Sequence, residues 1–331
     1  MPGSVTSVFG EPEDCEAALR ADGVLSLLVT DHGRFRARLT KLTLHHLCLS
    51  AGDEHLPRIA FIAIPADTVL VSLPIDSGPW PVWGGMEMQA GEIITLGPGQ
   101  RVYARTDEPC RWGIIRSPAK HLAQYGRALS GAELVVPPAG RWRSPRAVLG
   151  QLCRLHRAAV ARVEARSEVL ADDEAAHGLE QQVIEALVEC LTAGSVEEET
   201  ELAARHRAIL ARFEDLLESE PFLSIADFSA ALGVSERMLR ECCNRHLGIG
   251  PSRYLRLRRM QRVHRALKSK APGALSVSEV VRRHGFHDLG HFAANYRAIY
   301  GKLPSATLRR GDRTPELKLG NRRKATVSIN D

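Results

Sequence analysis

The chain lacks the features that mark membrane-spanning, secreted and disulfide-stabilised proteins. No run of about 18 apolar residues is present, so no membrane-spanning helix is predicted. The N-terminal stretch MPGSVTSVFGEPEDCEAALR has neither a basic start nor an apolar core, so a secretory signal is not predicted. The seven cysteines are scattered and none lies in a Cys-x-x-Cys spacing, which argues against a disulfide framework or a structural zinc site. We therefore expect a cytoplasmic protein whose cysteines are buried free thiols.

Excess positive charge is absent from the first two thirds of the chain and concentrated near its end. The formal net charge is +5, but residues 224–310 hold 17 Lys and Arg against 5 Asp and Glu, a balance of +12. The tail at 311–331 adds +2, which leaves −9 for the first 223 residues. A basic module joined to an acidic body indicates that the module attracts a polyanion, and nucleic acid is the obvious candidate.

Patterning along the chain predicts a β-rich region followed by helices. From Gly33 to Pro118, short apolar runs alternate with Gly and Pro, which is typical of a β-sandwich or a small barrel. Leucines at helical spacing appear after Pro145. A later helical stripe consists of Leu179, Val183, Leu187 and Leu191. This stripe must be buried, either against the chain's own barrel or against a partner subunit.

These patterns predict an α+β multidomain protein of four segments. We expect residues 1–145 to form a β-barrel domain and residues 146–220 to form a helical dimerisation and linker region. Residues 221–310 are expected to form an all-α domain with two helix-turn-helix units. The polar composition of residues 311–331 predicts a disordered tail.

The basic module contains two similar helix–turn–helix patterns on either side of an arginine-rich helix. In the first pattern, Gly233 ends an apolar-periodic helix and Ser235 is a suitable N-cap for the next helix. In the second pattern, Gly285 lies in the turn, while Phe292 and Tyr296 supply the inward face of the following helix. The arginine-rich stretch SRYLRLRRMQRVHRALKSK would repel itself unless it lay near phosphates or acidic groups.

The second helix of the first pattern carries polar residues that are suited to reading base edges. Arginine can form a bidentate contact with guanine, and Glu can accept a hydrogen bond from cytosine. The candidate base-reading residues on this helix are Arg237, Arg240, Glu241 and Asn244. A plain solvated helix face is the alternative interpretation of the same four residues.

The corresponding helix of the second pattern is poor in long polar side chains. Gly290, Ala293 and Ala294 occupy its outer face, and an alanine can at most touch a thymine methyl group. His291 and Asn295 are the candidate base-reading residues on this helix. We therefore expect sequence discrimination to come mainly from the first unit.

Several residues of the first pattern, and then several of the second, stand in a specific order and spacing. They are Leu232-Gly233-Val234-Ser235, Leu239, Leu247-Gly248, Pro251, Tyr254-Leu255 and Arg259, then Val277, Gly285-Phe286, Phe292, Tyr296-Arg297, Tyr300-Gly301 and Pro304. With these residues, the stretch 221–310 resembles the DNA-binding domain of the AraC/XylS family of transcriptional regulators, whose two helix-turn-helix units are joined by a long helix. The resemblance implies that both recognition helices enter successive major grooves, about one helical turn apart.

The family's base-reading positions can be carried over to this chain. In the first unit they fall on Arg237, Arg240 and Glu241. In the second unit they fall on the Gly290, Ala293 and Ala294 positions, where the family usually has Ser at the first and Arg or another long polar residue at the last. The candidate phosphate contacts, which would position the protein without reading sequence, are Arg253, Arg256, Arg282, Arg283, Arg297 and Lys302. A solvated surface charge is the alternative for each of them.

The resemblance also implies that the N-terminal domain is a cupin-like barrel that senses a small molecule. Aromatic and basic residues that could line an effector pocket are Trp80, Trp83, Arg101, Tyr103 and Trp112. An ordinary barrel core is the alternative for this set. A catalytic cupin metal needs a His-x-His pair, whereas this chain offers the adjacent His45 and His46, whose side chains would point to opposite faces of a strand, and a distant His55. We expect no metal and no cofactor.

Taken together, the residues and the resemblance favour a cytoplasmic, homodimeric transcriptional regulator that is not an enzyme. Its expected partners are double-stranded promoter DNA, a small-molecule effector and a second copy of the chain, with RNA polymerase as a further candidate. Activation is the working expectation, although repression stays open.

Two enzymatic functions are the alternatives to a transcriptional regulator. The first is a cupin-type metalloenzyme fused to a DNA-binding domain. The second is a repair protein similar to the Ada-type methyl acceptors, which needs a zinc-activated cysteine cluster; Cys15, Cys48 and Cys110 lie too far apart in sequence to resemble one.

Overall fold

The structure is a computed structural model that describes residues 2–131, 134–165, 173–269 and 276–311. The strands are β1 (Gly3–Phe9), β2 (Val24–Val29), β3 (Ala37–Thr43), β4 (Cys48–Glu54), β5 (Arg58–Ala63), β6 (Thr68–Leu73), β7 (Val82–Trp83), β8 (Glu92–Leu96), β9 (Arg101–Thr106), β10 (Cys110–Pro118), β11 (Ala139–Arg143) and β12 (Ser195–Glu198). The helices are α1 (Pro12–Leu19), α2 (Ala119–Ser130), α3 (Arg146–Ala165), α4 (Asp173–Thr192), α5 (Glu201–Ser219), α6 (Ile225–Leu232), α7 (Glu236–Leu247), α8 (Pro251–Lys268), α9 (Val277–Arg283), α10 (Leu289–Tyr300) and α11 (Pro304–Gly311).

The strands form two antiparallel sheets. The larger sheet has eight strands in the order β1-β3-β4-β10-β6-β8-β11-β12, and the smaller has four in the order β2-β5-β9-β7. The expectation of a β-rich N-terminal region is confirmed. The cupin-like barrel is not confirmed, because the described strands form two separate sheets and do not close into one barrel.

Several strands lie where the sequence pattern was weak. The expected alternation from Gly33 to Pro118 corresponds to β3 to β10, but β1 and β2 precede it. The acidic stretch around residues 195–198 forms β12, which pairs with β11 at the edge of the larger sheet. The segment assigned to a helical region therefore contributes α3, α4, α5 and one strand.

Helices α2, α3 and α4 cover one face of the larger sheet. The apolar stripe of α4 contributes Val183, Leu187 and Leu191, all at most 2% exposed, to a core with strand residues such as Leu49 and Val71. The chain's own sheet therefore buries the stripe that the sequence left open between sheet and partner subunit.

The C-terminal region is helical, as expected, and it packs against the β-rich region. One core cluster combines Phe61 and Tyr103 of the smaller sheet with Phe213 of α5 and with Phe228 and Tyr254 of the basic module. A second, smaller cluster lies between α8, α9 and α10. Helix α5 is thus the apolar bridge between the sheets and the first part of the basic module.

All seven cysteines are free, and all except the half-buried Cys48 are buried, which confirms the expectation of free thiols. Among the described helices, none combines the length and the apolar character that crossing a membrane requires. The predicted disordered tail at 311–331 lies outside the described residues, apart from Gly311 at the end of α11.

Candidate nucleic-acid interface

Helices α6 and α7 form a short helix, a tight turn and a longer helix, as the sequence predicts. Ser224 and Asp227 form a capping box at the start of α6. Gly233 ends this helix with φ of 68°, a left-handed conformation that glycine adopts without strain. Ser235 then caps α7 by accepting a hydrogen bond from the Met238 amide at 3.1 Å. These local signals fix where α7 begins.

The inner and outer faces of α7 differ sharply. Leu239, Cys243 and Leu247 are at most 2% exposed and pack into the core. The four predicted base-reading residues lie on the exposed face: Arg237, Arg240, Glu241 and Asn244. Within the described residues, none of these four side chains makes a hydrogen bond or an ion pair. The structure therefore brings them together on one open surface.

Helices α9 and α10 repeat the same local architecture. Ser276 and Glu279 form a capping box on α9. The turn contains Gly285 with φ of 79°, and Asp288 caps α10 by accepting a hydrogen bond from the His291 amide at 2.9 Å. Gly301 ends α10 in the left-handed conformation. The second pair is therefore built from the same kinds of signals as the first.

The outer face of α10 exposes little that could read a base. Gly290, His291, Ala294 and Arg297 are exposed, whereas the predicted base-reading residue Asn295 is half-buried. His291 and Arg297 are the only exposed residues of this helix with long polar side chains. The outer face of α10, which corresponds to that of α7 in the first pair, thus has one positive charge and few groups that can form hydrogen bonds.

The inner face of α10 is fully formed. Phe292 and Tyr296 are 3% and 0% exposed. The Tyr296 hydroxyl donates to Thr307 Oγ1 at 2.8 Å and lies 2.5 Å from Nδ1 of the buried His264. The side chain of Tyr300 stacks on the same imidazole with ring centroids 4.0 Å apart. The small outer side chains of α10 are therefore not a sign of a poorly folded helix.

The six predicted phosphate contacts fall into two groups. Arg256, Arg282, Arg283 and Arg297 are exposed and have no ion-pair partner in the part of the chain that the structure describes. The other two already contact the β-rich region: Arg253 donates to the Thr30 carbonyl at 3.0 Å, and Lys302 Nζ contacts both Glu11 carboxylate oxygens at 2.9 and 3.0 Å.

The arginine-rich helix α8 lies against acidic groups of the chain itself. The sequence had left open whether acidic groups or phosphates would offset its charge. Arg265 donates to Glu16 at 2.6 Å, and Lys268 lies 3.7 Å from Glu13 on the same helix α1. On the side of α5, Arg262 lies 3.2 Å from Glu218. Part of the positive charge of the basic module is therefore neutralised by the acidic body, and only the remainder faces solvent.

A buried polar network joins α5, the smaller sheet and α8. Glu214 accepts hydrogen bonds from the Tyr103 hydroxyl at 2.6 Å, the Tyr254 hydroxyl at 2.8 Å and Arg258 Nη2 at 2.5 Å. Burial, and then the Glu214 charge, raise the pKa of both tyrosines well above the ordinary value, so both hydroxyls stay protonated and donate. Local sequence patterns do not indicate this network, because its members lie far apart along the chain.

A small cavity of about 40 Å³ lies inside the β-rich region. Its lining comprises Leu19, Asp22, Val24, Leu27, Ser50, Arg58, Ala60, Ile62, Leu70, Trp83, Trp112, Ile114 and Arg116. Trp112 passes so close to Gly52 that a Cβ atom there would lie 2.1 Å from the indole, so this strand position needs glycine. The indole nitrogen of Trp112 donates to Glu54 at 3.0 Å, which leaves the ring face to the cavity.

Two of the five predicted pocket residues, Trp83 and Trp112, line this cavity. The other three lie elsewhere. Trp80 is half-buried outside the lining, Tyr103 belongs to the Glu214 network, and Arg101 forms a bidentate ion pair with Asp215 of α5. The predicted set is therefore divided between the cavity wall, which contains Trp83 and Trp112, and the contact with α5, which contains Arg101 and Tyr103.

The expected placement of His45 and His46 on a strand is wrong. Both lie in the turn between β3 and β4, because the strands end at Thr43 and resume at Cys48. In this turn His46 stacks on His121 of α2, and His45 lies near His177 of α4. His55 is exposed and distant in sequence from all of them.

Comparison with known proteins bears on the helical module. A family model described as a helix-turn-helix domain matches residues 228–310. The XylDLEGF operon transcriptional activator of Pseudomonas putida is 37% identical over 76 residues, 23% of this chain and 24% of that protein. The HTH-type transcriptional activator RhaS of Klebsiella pneumoniae (strain 342) is 26% identical over 236 residues, 66% of this chain and 80% of that protein.

The match to the Pseudomonas protein spans about a quarter of its length. Among solved structures, the AraC-like transcriptional activator CuxR aligns with a TM-score of 0.42 and 16% identity, over 84% of this chain and 98% of that one. The family match begins inside α6 and extends through α7, α8, α9 and α10 into α11. Residues 228–310 thus match a helix-turn-helix domain, and this part of the chain is similar to that of known transcriptional activators.

Proposed function

We propose that the chain is a sequence-specific DNA-binding transcriptional regulator in which α7 reads base edges and the cavity between the sheets binds a small-molecule effector. The observation that carries the DNA-reading half is the open outer face of α7. Its four polar side chains are exposed and unpartnered within the described residues, so they are free to form new hydrogen bonds. Arg237 and Arg240 would pair with guanine, and Glu241 with cytosine.

The second helix pair anchors the protein on DNA in this proposal. Arg282 and Arg283 are exposed at the end of α9, and Arg297 is exposed in the last turn of α10. The amides at the start of α10 add a partial positive charge. Contacts of this kind bind phosphates of any sequence. The relatives named above are called transcriptional activators, and we propose activation as the direction of control for this chain as well.

The effector half of the proposal is supported by the cavity. Most of its lining is apolar, as is usual for small-molecule sites. Its volume of about 40 Å³ has room for only a few water molecules, so a bound effector would have to widen it. The cationic residues in the wall are Arg58, which pairs with Glu54, and Arg116, which pairs with Asp22. A small, mainly apolar molecule fits such a lining. None of the lining residues is a His or Cys, so the cavity gives no support to a cupin metalloenzyme.

The cavity wall contacts the DNA-binding domain directly. Leu27 lines the cavity, and its carbonyl accepts a hydrogen bond from Gln261 Nε2 of α8 at 2.7 Å. The Leu27 amide donates to Glu16, whose carboxylate also accepts from Arg265 of α8 at 2.6 Å. A ligand that displaces β2 would therefore change contacts with the helix that joins the two helix pairs. The predicted homodimer stays a prediction, because the α4 stripe is buried within its own chain.

The DNA-reading half is tested with duplexes that the full chain selects from a random pool. In fluorescence anisotropy, Arg240→Ala should bind the selected duplex about tenfold to a hundredfold more weakly than wild type, because a bidentate base contact is lost. Arg154→Ala removes the same charge at an exposed position of α3 and should bind like wild type. Unchanged affinity and unchanged site preference in Arg240→Ala would contradict the assignment of α7 to base reading.

The effector half is tested with a thermal-shift screen of small apolar molecules, followed by DNA binding with and without each hit. A true effector should change DNA affinity by about 1–3 kcal/mol, which is the usual range of such coupling. In Gln261→Met the hit should still raise the melting temperature, but its effect on DNA affinity should shrink. A hit that binds the cavity and leaves DNA affinity unchanged would contradict the effector role.

A further inference from the structure

A cluster of histidines and one carboxylate lies on the outside of the β-rich region, away from the cavity and from the DNA-binding surface. It is formed where the turn between β3 and β4 meets α2 and α4. His46, His121 and Glu180 each offer a ligand atom, and these atoms lie within 4.8 Å of one another. The His46 Nδ1 atom lies 2.9 Å from Glu180 Oε1, and the His46 and His121 rings stack with centroids 4.2 Å apart.

We propose that His46, His121 and Glu180 form a binding site for a divalent transition metal ion, best suited to Zn²⁺. Two imidazoles and one carboxylate are a ligand set that zinc accepts, with water completing the coordination. Two ligands of one zinc ion lie roughly 3.3 Å apart, so ligand atoms that now lie up to 4.8 Å apart must draw together by up to about 1.5 Å. Because His46 is 56% exposed, it has room to rotate and leaves a solvent-facing side for the water ligand.

The carboxylate is already held in a suitable orientation. Glu180 is 1% exposed, and its Oε2 atom accepts hydrogen bonds from the backbone amides of His46 at 2.8 Å and Leu47 at 3.2 Å. These bonds occupy one carboxylate oxygen and direct the other towards His46. Outer hydrogen bonds of this kind commonly orient a metal ligand. A buried carboxylate also needs a positive partner, and a metal ion supplies one.

The second imidazole is short of partners. The Nδ1 atom of His121 is shielded from solvent and has no hydrogen-bond partner among the described residues. A buried ring nitrogen without a partner is unfavourable, and coordination to a metal would remove this cost. The ring otherwise contacts the rings of His46 and Tyr125. His121 therefore has a free donor atom for a metal and no structural hydrogen bond that coordination would break.

Another group of potential ligands in the structure is less suitable. Glu11, Glu13 and His264 also place donor atoms within 4.8 Å of one another. That group already has two cations, since Lys302 contacts Glu11 at 2.9 Å and Lys268 lies 3.7 Å from Glu13. A divalent ion there would have to compete with both lysines. The group around Glu180 has no lysine or arginine ion pair among the described residues.

Metal binding would join three elements that are distant in sequence. The turn at residues 44–47, α2 and α4 each contribute one ligand, so a bound ion would fasten the helices to the larger sheet. A ligand that binds only the folded state raises the apparent stability in proportion to the logarithm of its concentration. The same site could therefore be found by its effect on unfolding, without knowledge of the DNA sequence or the effector.

The test uses the full chain without a histidine tag, treated with EDTA and then freed of the chelator. Isothermal titration with ZnCl₂ should show one ion per chain, and zinc should raise the melting temperature. His121→Ala should bind zinc at least tenfold more weakly, because one ligand is lost while the hydrogen bonds of Glu180 remain. His55→Ala removes an exposed histidine outside the cluster and should behave like wild type.

Co²⁺ provides a second readout that reports the ligands themselves. Its visible spectrum should change on addition to wild type and to His55→Ala, and this change should be absent in His121→Ala and in Glu180→Gln. Zinc binding that is equally tight in wild type and His121→Ala would overturn the proposal, as would the absence of any stoichiometric binding to wild type. In the second case Glu180 serves only to fasten the turn to α4.

Discussion

The two helix pairs of the basic module have the same local architecture but differ in the side chains that they expose. Both begin with a serine capping box and end with a glycine in the left-handed conformation. The first presents Arg237, Arg240, Glu241 and Asn244 to solvent, whereas the second presents mainly glycine and alanine with His291 and Arg297. The local signals for folding are thus present in both pairs, whereas most of the exposed, long polar side chains lie in the first.

The two pairs also differ in how they are supported. The first shares its core with α5 and the smaller sheet, through residues such as Phe213, Phe228 and Tyr254. The second has its own small core with α8, and Lys302, just after α10, forms an ion pair with Glu11, the residue before α1. A change inside the sandwich should therefore reach the first pair through apolar packing and the second through polar contacts.

The largest expected effect concerns the separate cores. Phe292→Ala should cost about 3–5 kcal/mol, because it removes a buried ring from a small cluster, and this cost should fall on α9, α10 and the adjoining part of α8. Phe228→Ala should cost a similar amount but should also loosen α5 and the smaller sheet, where Phe228 packs on Phe213. Hydrogen exchange of the full chain distinguishes the two. If both variants lose protection in the same elements, the two cores are not separate.

The next effect concerns base reading. The double variant Arg237→Ala/Arg240→Ala should lose about 1–3 kcal/mol per arginine on a selected duplex and much less on an unrelated one. The ratio of the two affinities, measured at one salt concentration, is the relevant quantity. A loss of equal size on both duplexes would mean that these arginines contact phosphates and that α7 is not the reading helix.

A smaller effect is expected from anchoring by the second pair. Arg297→Ala should weaken binding less than tenfold and by a similar factor on every duplex, and it should reduce the slope of log affinity against log salt by about 0.9. The matched control is Arg154→Ala, which removes an exposed arginine from α3 and should leave the slope unchanged. A preference for particular base pairs that disappears in Arg297→Ala would show that the second pair also reads sequence.

The smallest effect is expected at His291. This side chain is exposed at the start of α10, where it is the predicted reading residue nearest the helix N-terminus. His291→Ala should change affinity for the selected duplex by less than about threefold, below the cost of one bidentate base contact. Competition binding against wild type can resolve a difference of this size. A loss as large as that of Arg240→Ala would remove the contrast between the two helix pairs.

The parts of the molecule that the sequence could predict are those set by local patterns. Gly233 and Ser235 mark the turn and the cap of α7, and both behave in the structure as their chemistry requires. The inward faces of α7 and α10 follow from helical periodicity in the same way. Such signals lie within one or two turns of helix, so they can be read without knowledge of the tertiary structure.

The parts that escaped prediction depend on residues far apart in sequence. Arg265 pairs with Glu16, which lies 249 positions earlier, and Glu214 collects partners from β9 and α8. The strand β12 was not expected, because its acidic, exposed residues show no strand pattern. The segment is extended because it pairs with β11. His46 and His121 meet only because the β3–β4 turn and α2 lie side by side in the folded chain. The local sequence patterns around these residues do not indicate their partners.

A base-by-base substitution scan of the selected duplex tests the central contrast most directly. Affinities are measured for every single-base-pair variant with wild type and with Arg240→Ala, so the half-site under α7 is identified by the preferences that Arg240→Ala loses. We predict that substitutions in that half cost about 1–3 kcal/mol each and that those in the other half cost well under 1 kcal/mol. Equal or stronger discrimination in the half bound by residues 287–297 would contradict the account.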